Sequence, residues 1–367
     1  MPYTTEQCYA AALTSIPYWG SRNIRALYAR YGSCEAIWKA PLEELKHAIP
    51  GTQRMWQSLA AARKAYDIEK EMRKNERAGI QLVTYWDTSY PSLLKETYNP
   101  PLVLYYWGTL PTHERIMAIV GARKATPYGL NAAETIAQNL GRHDVTIVSG
   151  GARGIDTKAH EGALHSHGKT LAVVAHGLDT IYPRENKALF HRIVQTGGAI
   201  LTEYPLGVPP LALHFPARNR IIAGISRGVI IVEAALKSGS LITADFALEE
   251  GRDVFTVPGS IFSTLSRGTN GLLRKGAIAL TQSEDVLTEY GWLKTAATNT
   301  KTAISLTLSE MAVLDALSCE QTQSLETLIP LTDLPPAKLS SIILRLQLYG
   351  LVTEIGQGFY IKKPDTN

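Results

Sequence analysis

Between His214 and Ser240 the chain carries four cationic side chains, Arg218, Arg220, Arg227 and Lys237, against a single acid, Glu233. All four flank predicted elements rather than sit inside them, so this stretch is expected to meet something anionic. His214-Phe215-Pro216 stands just ahead of Arg218-Asn219-Arg220. An aromatic ring beside cations can hold single-stranded nucleic acid, with bases stacked on the ring and cations on the phosphates. Phe215 could equally be a core residue, and Asn219 could bond a turn backbone or a base.

Further small or cationic residues follow other apolar runs: Gly121-Ala122-Arg123, then Ser149-Gly150-Gly151-Ala152-Arg153-Gly154, then Gly177-Leu178-Asp179, then Lys237-Ser238-Gly239-Ser240. Small residues let backbone N–H groups approach a ligand, and helix N-termini with long cations suit phosphate. The chain contains neither G-x-G-x-x-G nor G-x-x-x-x-G-K-[ST], so hydrolysis of a bound nucleotide is not expected. A nucleic-acid backbone would use the same turns.

Three catalytic patterns are set aside. Gly224-Ile225-Ser226-Arg227-Gly228 matches G-x-S-x-G, but it follows a predicted helix and precedes a strand, the reverse of a nucleophile elbow. His160-Glu161-Gly162-Ala163-Leu164-His165 has one residue too many for the zinc motif; five helical residues leave the imidazoles about 140° apart, and His167 does not repair this. Asp156, Asp179, Glu203 and Glu233 could pair as acid and base, but capping or pairing with nearby arginines explains them as well.

The elements that must position these residues are predicted strands of continuous apolar character: 116–121, 145–151, 170–177, 199–205, 229–235 and 254–259, with helices between most of them. Continuous rather than alternating burial points to a mainly parallel, doubly wound α/β sheet covered on both faces, over residues 76–294. Ligands of such sheets bind outside the carboxyl ends of the strands. Residues 1–75 read as helices, Glu6–Leu13, Ser21–Tyr31, Pro41–His47 and Gln53–Lys74, in SAM or helix-hairpin-helix style; their eleven Lys/Arg against seven Asp/Glu leave packing, dimerisation and DNA contact all open. A Thr-rich linker, 295–305, leads to three helices and a hairpin over 306–367, the winged-helix order. With four Lys/Arg against seven Asp/Glu, that tail suits a protein partner better than DNA.

The chain has 367 residues, a net charge of +4 and three cysteines that form no CxxC set. Two or three domains, a reducing compartment and no metal site are expected. No apolar run approaches the roughly 18 residues of a membrane helix, so no membrane partner is expected.

VGARKATPYG (120–129), IVSGGARGIDTKAH (147–160), HGLDTIYPRENKAL (176–189), TEYP (202–205), HFPARNRIIAGIS (214–226), VEAALKSGSLITADFALEEGRDVFTVPG (232–259) and GTNGLLRKGA (268–277) together resemble the DNA-processing protein A (DprA/Smf) family. The resemblance spans essentially the whole chain and is strongest in the central region. It implies a Rossmann-like, cytoplasmic, non-enzymatic protein that binds single-stranded DNA without sequence preference. It also implies a homodimer, no cofactor, and the loading of a RecA-type recombinase on incoming DNA during natural transformation. By that resemblance the strand-binding residues are Arg123, Ser149, Gly150, Arg153, Phe215, Arg218, Asn219, Arg220, Lys237, Ser238 and Gly239. Ala122 stands where Ser or Thr is common, which removes a phosphate hydroxyl, and Gly151 stands where Leu is common. The competing expectation, a phosphoribohydrolase-like nucleotide-processing enzyme, calls for a Pro-Gly-Gly-x-Gly-Thr-type turn followed by an acid, which this chain lacks.

Overall fold

The computed structural model describes residues 2–293, 306–356 and 358–363; the expected linker lies outside them. The N-terminal region folds as six helices: α1 (Thr5–Thr14), α2 (Ser21–Tyr31), α3 (Cys34–Lys39), α4 (Leu42–Ala48), α5 (Gln53–Ala65) and α6 (Ile68–Arg77). Two differences from the expected helices have local causes. Ser33 caps α3 by accepting from the Ala36 N–H at 3.1 Å, and Asp67 starts α6 afresh by accepting from Lys70 N–H at 3.0 Å. A side-chain oxygen that satisfies an orphan N–H makes a helix start of either position.

Next come β1 (Gln81–Thr84), α7 (Ser92–Lys95) and β2 (Val103–Gly108), followed by β3 (Ile116–Val120), α8 (Pro127–Arg142), β4 (Thr146–Ser149), α9 (Ile155–His165), β5 (Thr170–Val173), α10 (Lys187–Gln195) and β6 (Ala199–Thr202). The region closes with α11 (His214–Ile225), β7 (Gly228–Ile231), α12 (Gly239–Glu249), β8 (Asp253–Thr256), α13 (Arg267–Arg274), β9 (Ile278–Ala279) and α14 (Ser283–Glu289). The sheet runs β1-β2-β6-β5-β4-β3-β7-β8-β9, antiparallel at β1/β2 and β2/β6 and parallel throughout the rest. The fold is therefore α/β with a mostly parallel central sheet. Beyond residue 305, α15 (Leu308–Ala316), β10 (Gln323–Ser324), α16 (Leu325–Thr332), α17 (Pro336–Leu348), β11 (Val352–Glu354) and β12 (Phe359–Lys362) form a smaller unit with its own core around Leu328, Leu339 and Ile342.

Alternate residues of each central strand serve opposite faces. Ile116, Ala118 and Val120 of β3 join Val229 and Ile231 of β7 against Ile221 and Ile222 of α11 and Ala244 of α12. Met117 and Ile119 face the other way, against Ala133 and Ala137 of α8 and Ala159 of α9. Burial on both faces explains why these strands read as unbroken apolar runs. The β1/β2 pair is shared in the same manner. Leu82, Val103 and Tyr105 pack with the N-terminal helices, whereas Val83 and Leu104 belong to the central core.

Candidate nucleic-acid interface

Strand β3 lies between β4 and β7, and the chain leaves it towards β4 but reaches β7 only after β6, at the far side of the parallel set. Connections on the two sides of β3 thus diverge, and a crevice opens at the carboxyl ends of β3 and β7. The structure has a cleft of about 760 Å³ there. The turn after β3 gives it Arg123 and Lys124, the start of α11 gives Phe215, Arg218 and Asn219, and the segment entering α12 gives Lys237, Ser238, Gly239 and Ser240. Tyr182, from the connection after β5, closes one side.

Backbone-to-backbone contact sets the floor of the cleft. Ile155 N–H donates to the Ala122 carbonyl at 3.3 Å. Gly154 has φ +76°, and a Cβ there would stand 2.4 Å from the Ala122 carbonyl oxygen and 2.6 Å from that of Arg123. Only glycine tolerates this dihedral and this approach. Gly154→Ala is therefore expected to cost about 3 kcal/mol or more and to displace the Arg123 turn. An unchanged urea midpoint would count against this account.

Arg218 is buried under the cleft. Its Nη1 donates to the Gly150 carbonyl at 2.7 Å and also to the Val173 carbonyl, while Nε donates to Asn219 Oδ1 at 3.2 Å. Burial pulls its guanidinium down to about 10, against the support of Asp156. Asp156 Oδ2 in turn accepts from Gly150 N–H at 3.1 Å and Ala152 N–H at 3.3 Å. Burial raises the Asp156 carboxyl above its ordinary value, opposed first by Arg218 and then by those amides. Among the described residues Asp156 is the one carboxylate that lines the cleft, and two turn amides occupy its Oδ2. Arg123, Lys124, Arg218 and Lys237 therefore set the sign of the field.

The ring of Phe215 is half-buried. Arg123 Cζ lies 5.3 Å from its centroid, and the Tyr182 ring centroid lies 5.7 Å away, tilted by 57°. A cation against one ring and a second ring beside it hold the aromatic in place without enclosing it. At the start of α12, Ser238 is the N-cap and its Oγ accepts from Ser240 N–H at 3.4 Å. Asn219 Nδ2 donates to the Gly239 carbonyl at 3.2 Å and ties α11 to this N-terminus. The partial positive charge of a helix start thus faces the same space as Arg123 and Lys237.

The structure brings Arg123, Phe215, Arg218, Asn219, Lys237, Ser238 and Gly239 to one cleft. It places four other expected residues differently. Ser149 is buried, with Oγ donating to the Ile119 carbonyl at 2.6 Å, and so fastens β4 to β3. Gly150 lies one layer down: a Cβ there would meet Arg218 Nη2 and Asp156 Oδ2, each at 2.6 Å. Arg153 is exposed and paired with Glu185. Arg220 turns away to Glu203 and to the Asn99 carbonyl at 2.8 Å. Gly151, with φ +64°, leaves room for the Phe190 ring, which a Cβ would approach to 2.8 Å.

The four carboxylates considered as acid and base occupy separate structural posts. Glu233 accepts from Thr126 N–H at 2.8 Å and from the Thr126 hydroxyl at the start of α8. Asp179 accepts from Gly207 N–H at 2.9 Å, Glu203 holds Arg220, and Asp156 serves the turn after β4. Ser226 ends α11 and donates to the Ile222 carbonyl at 2.8 Å. His160 is fully buried against Thr170 while His165 reaches Glu134 at 3.0 Å. Among the described residues no cluster of three His, Cys, Asp or Glu could hold a metal, and no helix is long and apolar enough to cross a membrane. Sequence reasoning missed Lys124 and Tyr182 as lining residues, and it named Ser240 only as part of the turn 237–240. Lys124 adjoins Arg123 and was legible; Tyr182 follows β5 by eight residues of irregular chain, with no periodicity to mark its direction.

The match to known proteins covers this region. A model of the family described as DNA recombination-mediator protein A matches residues 81–291, more than half of the chain. DNA processing protein DprA of Streptococcus pneumoniae is 47% identical over 205 residues, 56% of this chain and 72% of that protein. Protein Smf of Escherichia coli is 43% identical over 237 residues, 63% of each. The X-ray structure of DprA from Streptococcus pneumoniae matches with a TM-score of 0.65 at 36% identity, covering 79% of this chain and 99% of that one. DNA processing protein A from Helicobacter pylori, whose structure is described for its single-stranded DNA binding mode, matches with a TM-score of 0.51 at 34% identity, over 57% of this chain and 95% of that one. The match begins at β1, ends just past α14 and takes in every element that lines the cleft, and on this ground the chain belongs to the DNA recombination-mediator protein A family.

Proposed function

We propose that this protein binds single-stranded DNA without sequence preference and acts as a recombination mediator. The observation that carries this reading is the cleft, where four cations and a helix N-terminus surround a held but accessible Phe215. A lone phosphate would need only the charges. The ring adds a face on which a base can stack, and every base has such a face. The single-stranded DNA binding mode described for the Helicobacter pylori relative supports the same ligand.

In this reading Arg123, Lys237 and the amides at the start of α12 take phosphates, and Phe215, backed by Tyr182, takes a base. Arg218 acts from beneath, by its charge and by holding the turns after β4 and β5; Ser149 and Gly150 support it. Arg153 and Arg220 lie outside the contact. Acid/base chemistry has little to work with, because the cleft's carboxylate accepts from two turn amides and sits in the field of Arg218. Incubation with AMP is accordingly expected to release no adenine.

Binding by phosphate neutralisation makes affinity fall with salt by a log–log slope of roughly −0.7 per phosphate. The double variant Arg123→Ala, Lys237→Ala is expected to flatten that slope by about 1.4 and to weaken binding about equally for all sequences. Fluorescence anisotropy with labelled oligonucleotides at several salt concentrations reads both. A salt-insensitive wild type, or a double variant with wild-type slope, defeats the assignment.

The wider role is the delivery of strands to a RecA-type recombinase in the cytoplasm during natural transformation, by a homodimer that doubles the number of clefts per particle. The C-terminal unit, with its order of helix, strand, two helices and two strands and its excess of acid, is a winged helix that docks a protein partner. The helical N-terminal unit serves as a packing module.

A further inference from the structure

Two large apolar side chains stand in water at the sheet edge that carries the cleft. Ile261 is 77% exposed and Phe262 88% exposed, at the tip of the turn that follows β8. The turn itself is firmly built. Asn270 and Gly259 exchange hydrogen bonds, Nδ2 to the Gly259 carbonyl at 3.0 Å and Gly259 N–H to Oδ1 at 3.3 Å. Gly259 abuts Ser266 so closely that a Cβ would come within 2.2 Å of its Oγ. Ser263 N–H donates to the Ser260 carbonyl at 3.0 Å. The two ends therefore meet, and the tip is held outward by its own base.

This turn is continuous with the cleft. Leu265 lines the cleft, and its carbonyl accepts from Ala234 N–H at 2.7 Å, which anchors it to the end of β7 just ahead of Lys237. Phe262 precedes Leu265 by three residues, at most about 11 Å of chain. Two exposed cations adjoin this turn along the chain, Lys237 three residues past the anchoring Ala234 and Arg267 five residues past Phe262 at the start of α13. The cleft already shows this chemistry in Phe215 beside Arg123.

We propose that Phe262, with Ile261 beside it, is a second base-stacking platform that carries a bound single strand out of the cleft and across the carboxyl end of β8. The inference rests on the single-stranded DNA reading above. Phe215 takes a base inside the cleft; Phe262 takes one further along the strand, which only a longer strand can reach. A platform of this kind is blind to sequence, since any base stacks on it.

The test compares full-length protein and its Phe262→Ala variant on an oligothymidylate of about five nucleotides and one of about twenty, near the lower end and beyond the upper end of the roughly 4–16-nucleotide footprints of single-strand binders. The variant is expected to bind the short strand as wild type does and the long one roughly 5- to 150-fold more weakly, the loss of one stacked base. Phe262→Trp should keep long-strand affinity, and its fluorescence should fall when the long strand is added. Equal affinities of Phe262→Ala and wild type on both strands overturn the inference, as does an equal loss on both. A shift from dimer to monomer in sedimentation, with affinity per cleft unchanged, also overturns it and makes the tip a contact between copies. If wild type binds neither strand, the functional reading itself fails, which is a separate and visible result.

Discussion

Arg218→Ala is expected to lower the thermal midpoint of the central region by about 6–20 °C. Removing a buried charge that offsets a second buried charge costs about 3–5 kcal/mol, the scale of a broken buried pair, because the other charge stays unmatched. For a folded unit near 200 residues each kcal/mol moves the midpoint by about 2–4 °C. Here the charge left unmatched is that of Asp156, which Arg218 balances through space, and the carbonyls of Gly150 and Val173 lose their donor at the same time. Lysine cannot replace the fork, since one ammonium does not reproduce donors fixed in the guanidinium plane. Adding Asp156→Asn to Arg218→Ala should recover part of the loss, because the amide oxygen still accepts from a turn N–H without carrying a charge. Differential scanning calorimetry on Arg218→Ala, Asp156→Asn and the double variant decides the matter. A fall of less than about 2 °C for Arg218→Ala, or a double variant worse than the sum of the singles, would show that this buried charge and its carbonyl bonds are not what hold the floor of the cleft.

The second large effect is a pH dependence centred on His160. Thr170 Oγ1 donates to the Ile147 carbonyl at 2.7 Å and must therefore accept from His160 Nδ1 at 2.7 Å. That leaves Nε2 buried without a partner. Protonating it would place a second cation near Arg218 in a dry interior, and burial followed by the Arg218 charge holds the imidazole down to about 3. A histidine whose folded value lies below its unfolded value of 6.5 favours the folded state fully above pH 6.5. That contribution is lost as pH falls from 6.5 towards 3, since the unfolded chain alone takes up the proton. The slope is about 1.4 kcal/mol per pH unit, so by pH 4.5 the loss is roughly 3 kcal/mol. His113 and His176 are also lowered by burial and act in the same direction, so the wild-type curve alone does not isolate the residue. His160→Gln is expected to start less stable at pH 8 and to lose less between pH 6.5 and 4.5. Parallel urea-midpoint curves for the two proteins across that range would sink the assignment.

The central strands were legible because burial on both faces leaves an unbroken apolar run, as in Ile116–Val120. The edges were not. β1 begins on an exposed Gln81 and β2 follows Pro100-Pro101, while β9 is two residues long, too short for any period to show. The cleft was legible as a set of turns, since a parallel sheet sends every βα turn to one edge. Individual side chains divided on geometry that the sequence partly holds. Arg218 and Arg220 are two residues apart on α11, a rotation of about 200°, and could not both face one ligand. Arg153 was lost to Glu185, 32 residues on, and no spacing announces such a pair. Glu233 looked like a lone acid among cations, yet Gly129 leaves the space that its carboxylate fills at the start of α8.

The two-sided β1/β2 pair limits how such a chain can be shortened or rebuilt. Its outer face, with Leu82, Val103 and Tyr105, is covered by the N-terminal helices, while Val83 and Leu104 on its inner face are held by the central core. Cutting the chain ahead of β1 would strip one side of a sheet that stays folded on the other. The helical module and the sheet are thus coupled through these three positions. A lineage that discards it must either discard β1 and β2 as well or turn those three positions polar in the same step.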